Sequence, residues 1–390
     1  MRNILIPSAL ALAAALSTPA LARPMTEVDL ATLKRVAAPV ASPDGRWVVF
    51  QMTETETETY KRSTGLWLVD RNAKDAKPVA IADMPGKNET APAFASDGSL
   101  YFLSNASGSD QIWRIDLKAG AAASQVTDTK ADVAGFKISP DGARLLAWGD
   151  IPMECTDFGC EASDKGALVG PGTGRLYKDG VGFVRHWDEW ETPGTHSRPF
   201  VFNLADGKAS AARPVAAGLV GDTPSKPFGG GEELAWGADS RTVYFTMRKA
   251  DRHEPTSTNL DIYRWLVDSR MMPVNLTEAN QATGALPTPS PDGKWLAYVA
   301  MARPGYEADR QVLMLRNLES GETKKLTDAW DRSVASIAWA PDGKALYVTA
   351  DDVLDHPVFR VDAASGKVER LKASNEAFDG NIGDVSVLPG

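Results

Sequence analysis

The sequence predicts an all-β protein, a β-propeller made of four-stranded blades of about fifty residues. The first observation is a turn motif, Ser/Ala-Pro-Asp-Gly, that recurs four times in full and twice in weaker copies. The aspartates of the six copies are Asp44, Asp97, Asp141, Asp239, Asp292 and Asp342. The second observation is a short run of aromatic and β-branched residues after each turn, which is typical of strands. A constant period of this length indicates an array of one supersecondary unit.

Backbone chemistry accounts for the turn motif. Proline fixes the φ that the second turn position needs, the aspartate bonds the backbone downstream, and glycine adopts a positive φ. Six equivalent aspartates in six equivalent turns are therefore better interpreted as turn residues than as six metal sites. We expect each turn glycine to have a positive φ.

The elements of the unit come in the same order in every copy. An apolar strand follows the turn, at residues 47–50, 100–103, 145–148, 243–245, 295–299 and 346–348. A polar loop leads to a second strand-like run, at residues 66–70, 111–116, 262–266, 312–315 and 358–362. A further turn and a short strand close the unit. Before the first unit a short helix is predicted over residues 26–36, with Thr26 as its N-cap and Asp29 three residues later.

One interval in the repeat is doubled. Asp141 and Asp239 are 98 residues apart, so either one blade is cryptic or one blade carries an insertion. We favour an insertion over residues 151–197, because a strand pattern precedes it and another follows at residues 198–204. Insertions on a rigid scaffold are places where binding residues collect.

The insertion contains the densest aromatic and charged cluster in the chain, residues 183–191. In a structural interpretation, Trp187 and Trp190 pack the insertion onto its blade, and Asp188 pairs with Arg185. In a functional interpretation, the cluster is an acidic, aromatic edge that holds a ligand with a free amine. The residues alone favour the structural interpretation, because tryptophan in a β-protein is usually buried.

The only two cysteines, Cys155 and Cys160, lie in the same insertion. In an oxidising compartment a local disulfide is the default for such a pair. A zinc site would need further ligands, and the four histidines are not spaced around the pair to supply them. We therefore expect a disulfide and no metal site.

The N-terminus has the pattern of a secretory signal peptide over residues 1–22. Arg2 supplies a positive charge, residues 4–16 are apolar, and Ala20-Leu21-Ala22 is a small-x-small cleavage site. The apolar stretch is too short for a comfortable transmembrane helix, and no other segment qualifies. We expect cleavage after Ala22 and export, with the periplasm as the expected location.

Composition and motif searches exclude several function classes. The formal net charge is −9 and there is no basic stripe, which argues against nucleic-acid binding. The sequence has no Gly-x-Ser-x-Gly elbow and no His-Glu-x-x-His motif, so these residues alone predict no catalytic centre.

Residues 384–390 have the shape of the strand and turn that open a unit, the start of a seventh. Since an open ring leaves unpaired strand edges, we expect a truncated form of a longer protein.

Two segments carry a resemblance to a known family. They are the run APVASPDGRW at residues 38–47, which follows the helix, and the Cys-x4-Cys insertion with VRHWDEW at residues 184–190. Together they resemble prolyl oligopeptidase family (S9) serine peptidases, in the exported dipeptidyl-peptidase and acylaminoacyl-peptidase-like branch. The turn motif alone also fits TolB-like propellers. The resemblance covers the mature chain and only the propeller half of the family.

The resemblance implies a protein with a C-terminal α/β-hydrolase domain that carries Ser, Asp and His and is absent from this chain. The propeller, residues 23–390, would limit access to short peptides and help bind the substrate N-terminus. Glu189 and Glu191 are the candidate amine-binding residues, with Trp187, Asp188 and Arg185 around them. The expected activity is that of an exported serine exopeptidase, without a cofactor, that removes dipeptides or blocked N-terminal residues. The alternative is a stand-alone periplasmic TolB-like propeller that acts as a binding or scaffold module.

Overall fold

A short capped helix precedes the sheets. The structure is a computed structural model that describes residues 23–82, 84, 87–117, 121–160, 183–186, 189–373, 376–377, 380–383 and 385–388. Helix α1, Glu27–Thr32, has the predicted cap: Asp29 N donates to Thr26 Oγ1, and Thr26 N donates to the Asp29 carboxylate. The helix is shorter than predicted because the first strand already begins at Arg35. The predicted signal peptide lies outside the described residues.

Six antiparallel sheets follow, each built from consecutive stretches of chain. Blade 1 contains β1 Arg35–Ala41, β2 Trp47–Thr55, β3 Arg62–Asp70 and β4 Val79–Ile81. Blade 2 contains β5 Glu89–Phe94, β6 Leu100–Ser104, β7 Gln111–Ile115 and β8 Ser124–Gln125. The third sheet contains β9 Gly135–Ile138, β10 Arg144–Pro152, β13 Thr195–Ala205 and β14 Lys208–Pro214. Between β10 and β13 lies a separate hairpin, β11 Arg185–His186 and β12 Glu189–Trp190.

The remaining blades continue the pattern. Blade 4 contains β15 Gly221–Asp222, β16 Leu234–Trp236, β17 Thr242–Lys249, β18 Asp261–Leu266 and β19 Val274–Asn275, with 3-10 helices at Gly231–Glu233 and Glu254–Thr256. Blade 5 contains β20 Gly284–Pro289, β21 Trp295–Ala300, β22 Val312–Asn317 and β23 Thr323–Lys325. Blade 6 contains β24 Ser336–Trp339, β25 Ala345–Thr349, β26 Val358–Asp362 and β27 Val368–Arg370. A small hairpin follows, β28 Lys372–Ala373 and β29 Glu376–Ala377.

This architecture confirms the predicted propeller with one long insertion. Because β10 and β13 pair directly, they are neighbouring strands of one blade, and no cryptic blade separates them. The two strands extend to Pro152 and from Thr195, so residues 151–152 and 195–197 of the predicted insertion belong to the sheet. The predicted start of a seventh unit stays a prediction: residues 385–388 form no strand, and 384, 389 and 390 are outside the described part of the chain.

The turn motif has the geometry that its residues predict. In the four full copies the glycine φ lies between 68° and 72°. The carboxylate of each motif aspartate accepts a hydrogen bond from the backbone N two residues later, at 3.0 to 3.1 Å. In the degenerate copy, Ser240 takes the glycine position and adopts a φ of 56°. Every copy joins the first and second strands of its blade.

The core lies between the blades. The five apolar clusters each combine residues of neighbouring sheets, such as Leu103 of blade 2 with Phe136 and Phe200 of blade 3. Burial of one such side chain contributes about 1.5 to 3 kcal/mol. First strands of neighbouring blades contact one another, so the first strand is the innermost of each blade.

Blade 4 departs from the pattern at its inner edge. Both β15 and β16 pair with β17, and residues 223–233 leave the sheet between them. We call residues 223–233 the inner loop. In blades 1, 2 and 5 the same strand has only a small register shift, at Ala38, Ala91 or Leu286, each with a positive φ before a proline. No sequence pattern predicts the inner loop.

The direction of the strands determines at which of the two ends of the propeller each connecting loop lies. The turn motifs lie at one end, here the turn end. The loops between second and third strands, the insertion among them, lie at the opposite end, here the insertion end. Since every first strand runs toward the turn end and every fourth strand runs away from it, the chain enters β1 and leaves β27 at the insertion end.

Candidate functional site

The β11–β12 hairpin follows β10 at the insertion end. Arg185 faces Trp190 across the hairpin, and its guanidinium lies 5.4 Å from the Trp190 ring centre. Trp190 is 61% exposed, so its ring is not part of the buried core. Glu189 lies opposite His186 in the register. Trp187 and Asp188 are outside the described residues.

Glu191, directly after the hairpin, contacts a lysine of the inner loop. The Lys226 Nζ lies 3.4 Å from Glu191 Oε2, 3.2 Å from Asp150 Oδ1 and 3.9 Å from Asp222 Oδ1. Burial alone would lower the pKa of Lys226, but the three carboxylates outweigh it and the pKa is raised. Three carboxylates thus share one ammonium, which leaves an excess of negative charge at the base of the insertion.

Asp222 is the buried member of this group. Its side chain is 3% exposed, and Oδ1 accepts a hydrogen bond from Ser197 N at 2.8 Å. Oδ2 lies 3.2 Å from Nδ1 of His196. These contacts fix β15 of blade 4 to β13 of blade 3, so the carboxylate has a defined position beside Lys226.

Glu254 provides a second contact between the insertion and blade 4. This buried carboxylate accepts a hydrogen bond from the backbone N of Phe183. Burial and the nearby Asp222 raise the pKa of Glu254 to about 7, while Arg248, His196 and the Phe183 bond oppose the rise. The insertion therefore meets blade 4 through two carboxylates, Glu191 and Glu254.

An open groove of about 900 Å³ lies beside these contacts. It brings together the insertion, the inner loop and the insertion-end loops of blades 4 and 5. Its principal lining residues are Phe183, Arg185, Phe228, Arg248, Met301 and Glu307. Phe228 lines this groove and is 77% exposed. Aromatic and apolar walls with a few charged groups are suited to an extended peptide.

The start of the insertion is fixed to blade 3. A disulfide joins Cys155 and Cys160, as predicted. Phe158, inside this loop, packs against Phe200 and Phe202 with ring centres 5.4 and 5.5 Å away. The Arg198 guanidinium donates hydrogen bonds to the carbonyl oxygens of Pro152 and Cys155 at 2.6 and 3.0 Å. The loop is thereby a rigid base for the residues that follow.

Within the described ranges, no three or more His, Cys, Asp or Glu side chains come together as metal ligands. No helix in the same ranges is long and apolar enough to cross a membrane.

No family model matches the chain. Among curated proteins it is 29% identical to dipeptidyl-peptidase 5 of Porphyromonas gingivalis, over 87% of this chain and 48% of that protein. It is 26% identical to dipeptidyl-peptidase 5 of Trichophyton schoenleinii, over 92% of this chain and 50% of that protein. The chain thus spans about half the length of these relatives.

Solved structures share the fold at low sequence identity. An acylaminoacyl peptidase of Pyrococcus horikoshii is 17% identical, with a TM-score of 0.58 over 86% of this chain and 46% of that one. The β-propeller domain of the trilobed protease from Pyrococcus furiosus is 12% identical, with a TM-score of 0.53 over 90% of this chain and 89% of that domain. These relatives and neighbours confirm the predicted resemblance of the chain to the propeller part of prolyl oligopeptidase family serine peptidases, in the branch with dipeptidyl-peptidases and acylaminoacyl peptidases.

Proposed function

We propose that this chain is the propeller of an exported serine exopeptidase, where it limits access to short peptides and helps bind the substrate N-terminus. The observation that carries the proposal is the excess negative charge at the base of the insertion, where Asp150, Glu191 and Asp222 share the ammonium of Lys226. An ammonium group in a partly dry cavity needs a charged acceptor. A free peptide N-terminus supplies such an ammonium.

The arrangement of the propeller supports the same proposal. The fourth strand of each blade ends at the insertion end, so a hydrolase domain that follows a complete further blade would face the groove and the hairpin. The names of the sequence relatives support dipeptide release as the reaction. Peptide binding between the groove and such a domain would place the substrate N-terminus near the carboxylates.

The two candidate glutamates receive different roles in this proposal. Glu191 is 15% exposed at its side chain and already contacts Lys226, so it positions the hairpin. Glu189 lies two residues earlier in β12 and is the proposed acceptor of the substrate amine. Arg185, Trp187 and Asp188 form the surroundings of that acceptor.

The test uses the complete polypeptide that the natural reading frame encodes. Glu189→Gln should raise KM for dipeptide substrates with a free N-terminus roughly tenfold or more, since a charge-assisted hydrogen bond is lost. KM for N-acylated substrates should stay unchanged. Glu322→Gln, an exposed change in a turn-end loop, is the matched control. Equal KM values for wild type and Glu189→Gln would contradict the assignment.

The alternative, a stand-alone TolB-like binding module, makes a different prediction about the gene. An open frame past codon 390 that encodes a further blade and a Gly-x-Ser-x-Gly motif supports the peptidase. A stop codon there, with a stable product of this length, would support the binding module.

A further inference from the structure

Three arginines converge on one carboxylate at the turn end, between blades 3 and 4. Asp268, in the turn after β18, lies 3.6 Å from Arg144, 3.6 Å from Arg213 and 3.2 Å from Arg241, measured between nitrogen and oxygen. The arginines come from β10, β14 and the degenerate turn of blade 4 respectively. This cluster is at the opposite end of the propeller from the groove.

Asp268 does not satisfy these guanidinium groups. None of the three contacts has the geometry of a hydrogen bond. Arg144 donates instead to the carbonyl oxygen of Ser240 at 3.2 Å, and Arg213 to that of Val267 at 3.3 Å. The Nε atoms of Arg144 and Arg213 are buried and have no hydrogen-bond partner in the described part of the chain.

Among the described residues, the three guanidinium groups share two carboxylates within 4 Å, those of Asp268 and Asp141, and Asp141 lies 3.7 Å from Arg144. A third carboxylate, Asp239, accepts a hydrogen bond from the backbone N of Arg241 at 3.0 Å. The side chains of Arg241 and Asp268 are 63% and 43% exposed, so a small solute can reach the cluster.

We propose that Arg144, Arg213 and Arg241 form a binding site for a small oxyanion, a phosphate group, which binds beside Asp268. Guanidinium groups present parallel N–H donors that match the oxygen atoms of phosphate. Asp268 holds the three arginines together when the anion is absent and competes with it by charge repulsion. This site is independent of the peptide-binding proposal.

The test measures the unfolding temperature of this chain against phosphate, with chloride at equal ionic strength as the reference. A ligand that binds only the folded state raises that temperature. Phosphate should raise it for wild type. Asp268→Asn should bind phosphate roughly threefold more tightly, because an exposed charge contact changes affinity by about this factor. Arg241→Gln should weaken the response.

A control and a second measurement keep the result unambiguous. Asp70→Asn changes an ordinary pair at the turn end, Arg46 with Asp70 at 2.9 Å, and should leave the phosphate response unchanged. Titration calorimetry of wild type and Arg241→Gln applies even if Asp268→Asn does not fold. Glycerol phosphate in place of phosphate separates a monoester from the free ion, and binding of either supports the site. Equal responses of wild type and Arg241→Gln to both ligands, or no response beyond that of chloride, would overturn it.

Discussion

The Lys226 Nζ lies 3.4 Å from Glu191 Oε2, and this contact joins the insertion of blade 3 to the inner loop of blade 4. Neither segment is part of a blade sheet. The insertion belongs to blade 3 and the inner loop to blade 4, and the two segments meet at the edge of the groove. The position of the β11–β12 hairpin therefore depends on side-chain contacts between charged groups.

Substitution of Lys226 tests that dependence. Lys226→Gln leaves Asp222, whose side chain is 3% exposed, beside Glu191 without the shared cation. We expect the free energy of unfolding to fall by about 1 to 2 kcal/mol, between the values for exposed and for buried ion pairs. Denaturant unfolding measures the loss. Lys344→Gln, at an exposed position in a turn, should change the free energy by less than about 0.5 kcal/mol.

In the Cys155–Cys160 loop, the contribution of the disulfide to stability can be compared with that of apolar packing by Phe158. Removal of the disulfide by Cys155→Ala with Cys160→Ala should cost about 2 kcal/mol, since the closed loop is short. Phe158→Ala should cost more, about 3 to 5 kcal/mol, because the ring packs between Phe200 and Phe202. Urea unfolding of the two variants gives the order. A larger loss from the cysteine variant would show that the covalent link dominates.

Local chemistry made much of the fold predictable from the sequence. The turn motif fixes its own geometry within four residues, and the runs of aromatic and β-branched residues after it predict strands, so the blade order and the insertion follow directly. Thr26 and Asp29 likewise form a local cap. The helix end was less predictable, because the pairing of Arg35 with Thr53 in β2 overrides helix propensity.

The site depended on contacts that no local pattern contains. The inner loop lacks a repeat signature, and the partners of Lys226 are distant in the chain: Asp150, Glu191 and Asp222. Residue type alone favours a buried position for Trp190. In the structure Trp190 is 61% exposed, and the Arg185 guanidinium lies 5.4 Å from its ring centre. The charged cluster at residues 183–191 predicts a binding role for this segment, and that role stays a prediction.

Alanine substitutions at two glycines distinguish the effect of a steric clash on stability from the effect of backbone strain. A Cβ at Gly135 in β9 would lie 2.1 Å from the Trp148 ring, so Gly135→Ala forces the indole to move. We expect a loss of at least about 2 kcal/mol. Gly343→Ala has open space around it but a φ of +69°, so only the backbone cost of about 1 kcal/mol applies. Thermal unfolding of both variants measures the difference, and equal losses would contradict this reasoning.

Glu254 should make stability depend on pH. Its pKa is raised from 4.5 to about 7, first by burial and then by Asp222. The folded protein therefore binds a proton at this carboxyl that the unfolded chain has already lost between about pH 5 and pH 7. Because the folded state binds more protons in that window, stability falls as the pH rises through it. The loss is complete above the folded pKa and amounts to at most about 3 kcal/mol.

Glutamine at this position removes the titration and still accepts the hydrogen bond from Phe183 N. The stability of Glu254→Gln relative to wild type should thus increase from pH 5 to pH 8. Glu233, whose pKa burial also raises to about 7, has the same sign, so Glu233→Gln and the double variant are measured beside it. For each single variant, stability relative to wild type changes with pH by a certain slope. In the double variant the two slopes should add if the two carboxyls titrate independently. Parallel curves for wild type and Glu254→Gln would mean that the carboxyl stays ionised in the fold, and that Arg248 and the Phe183 N–H outweigh burial.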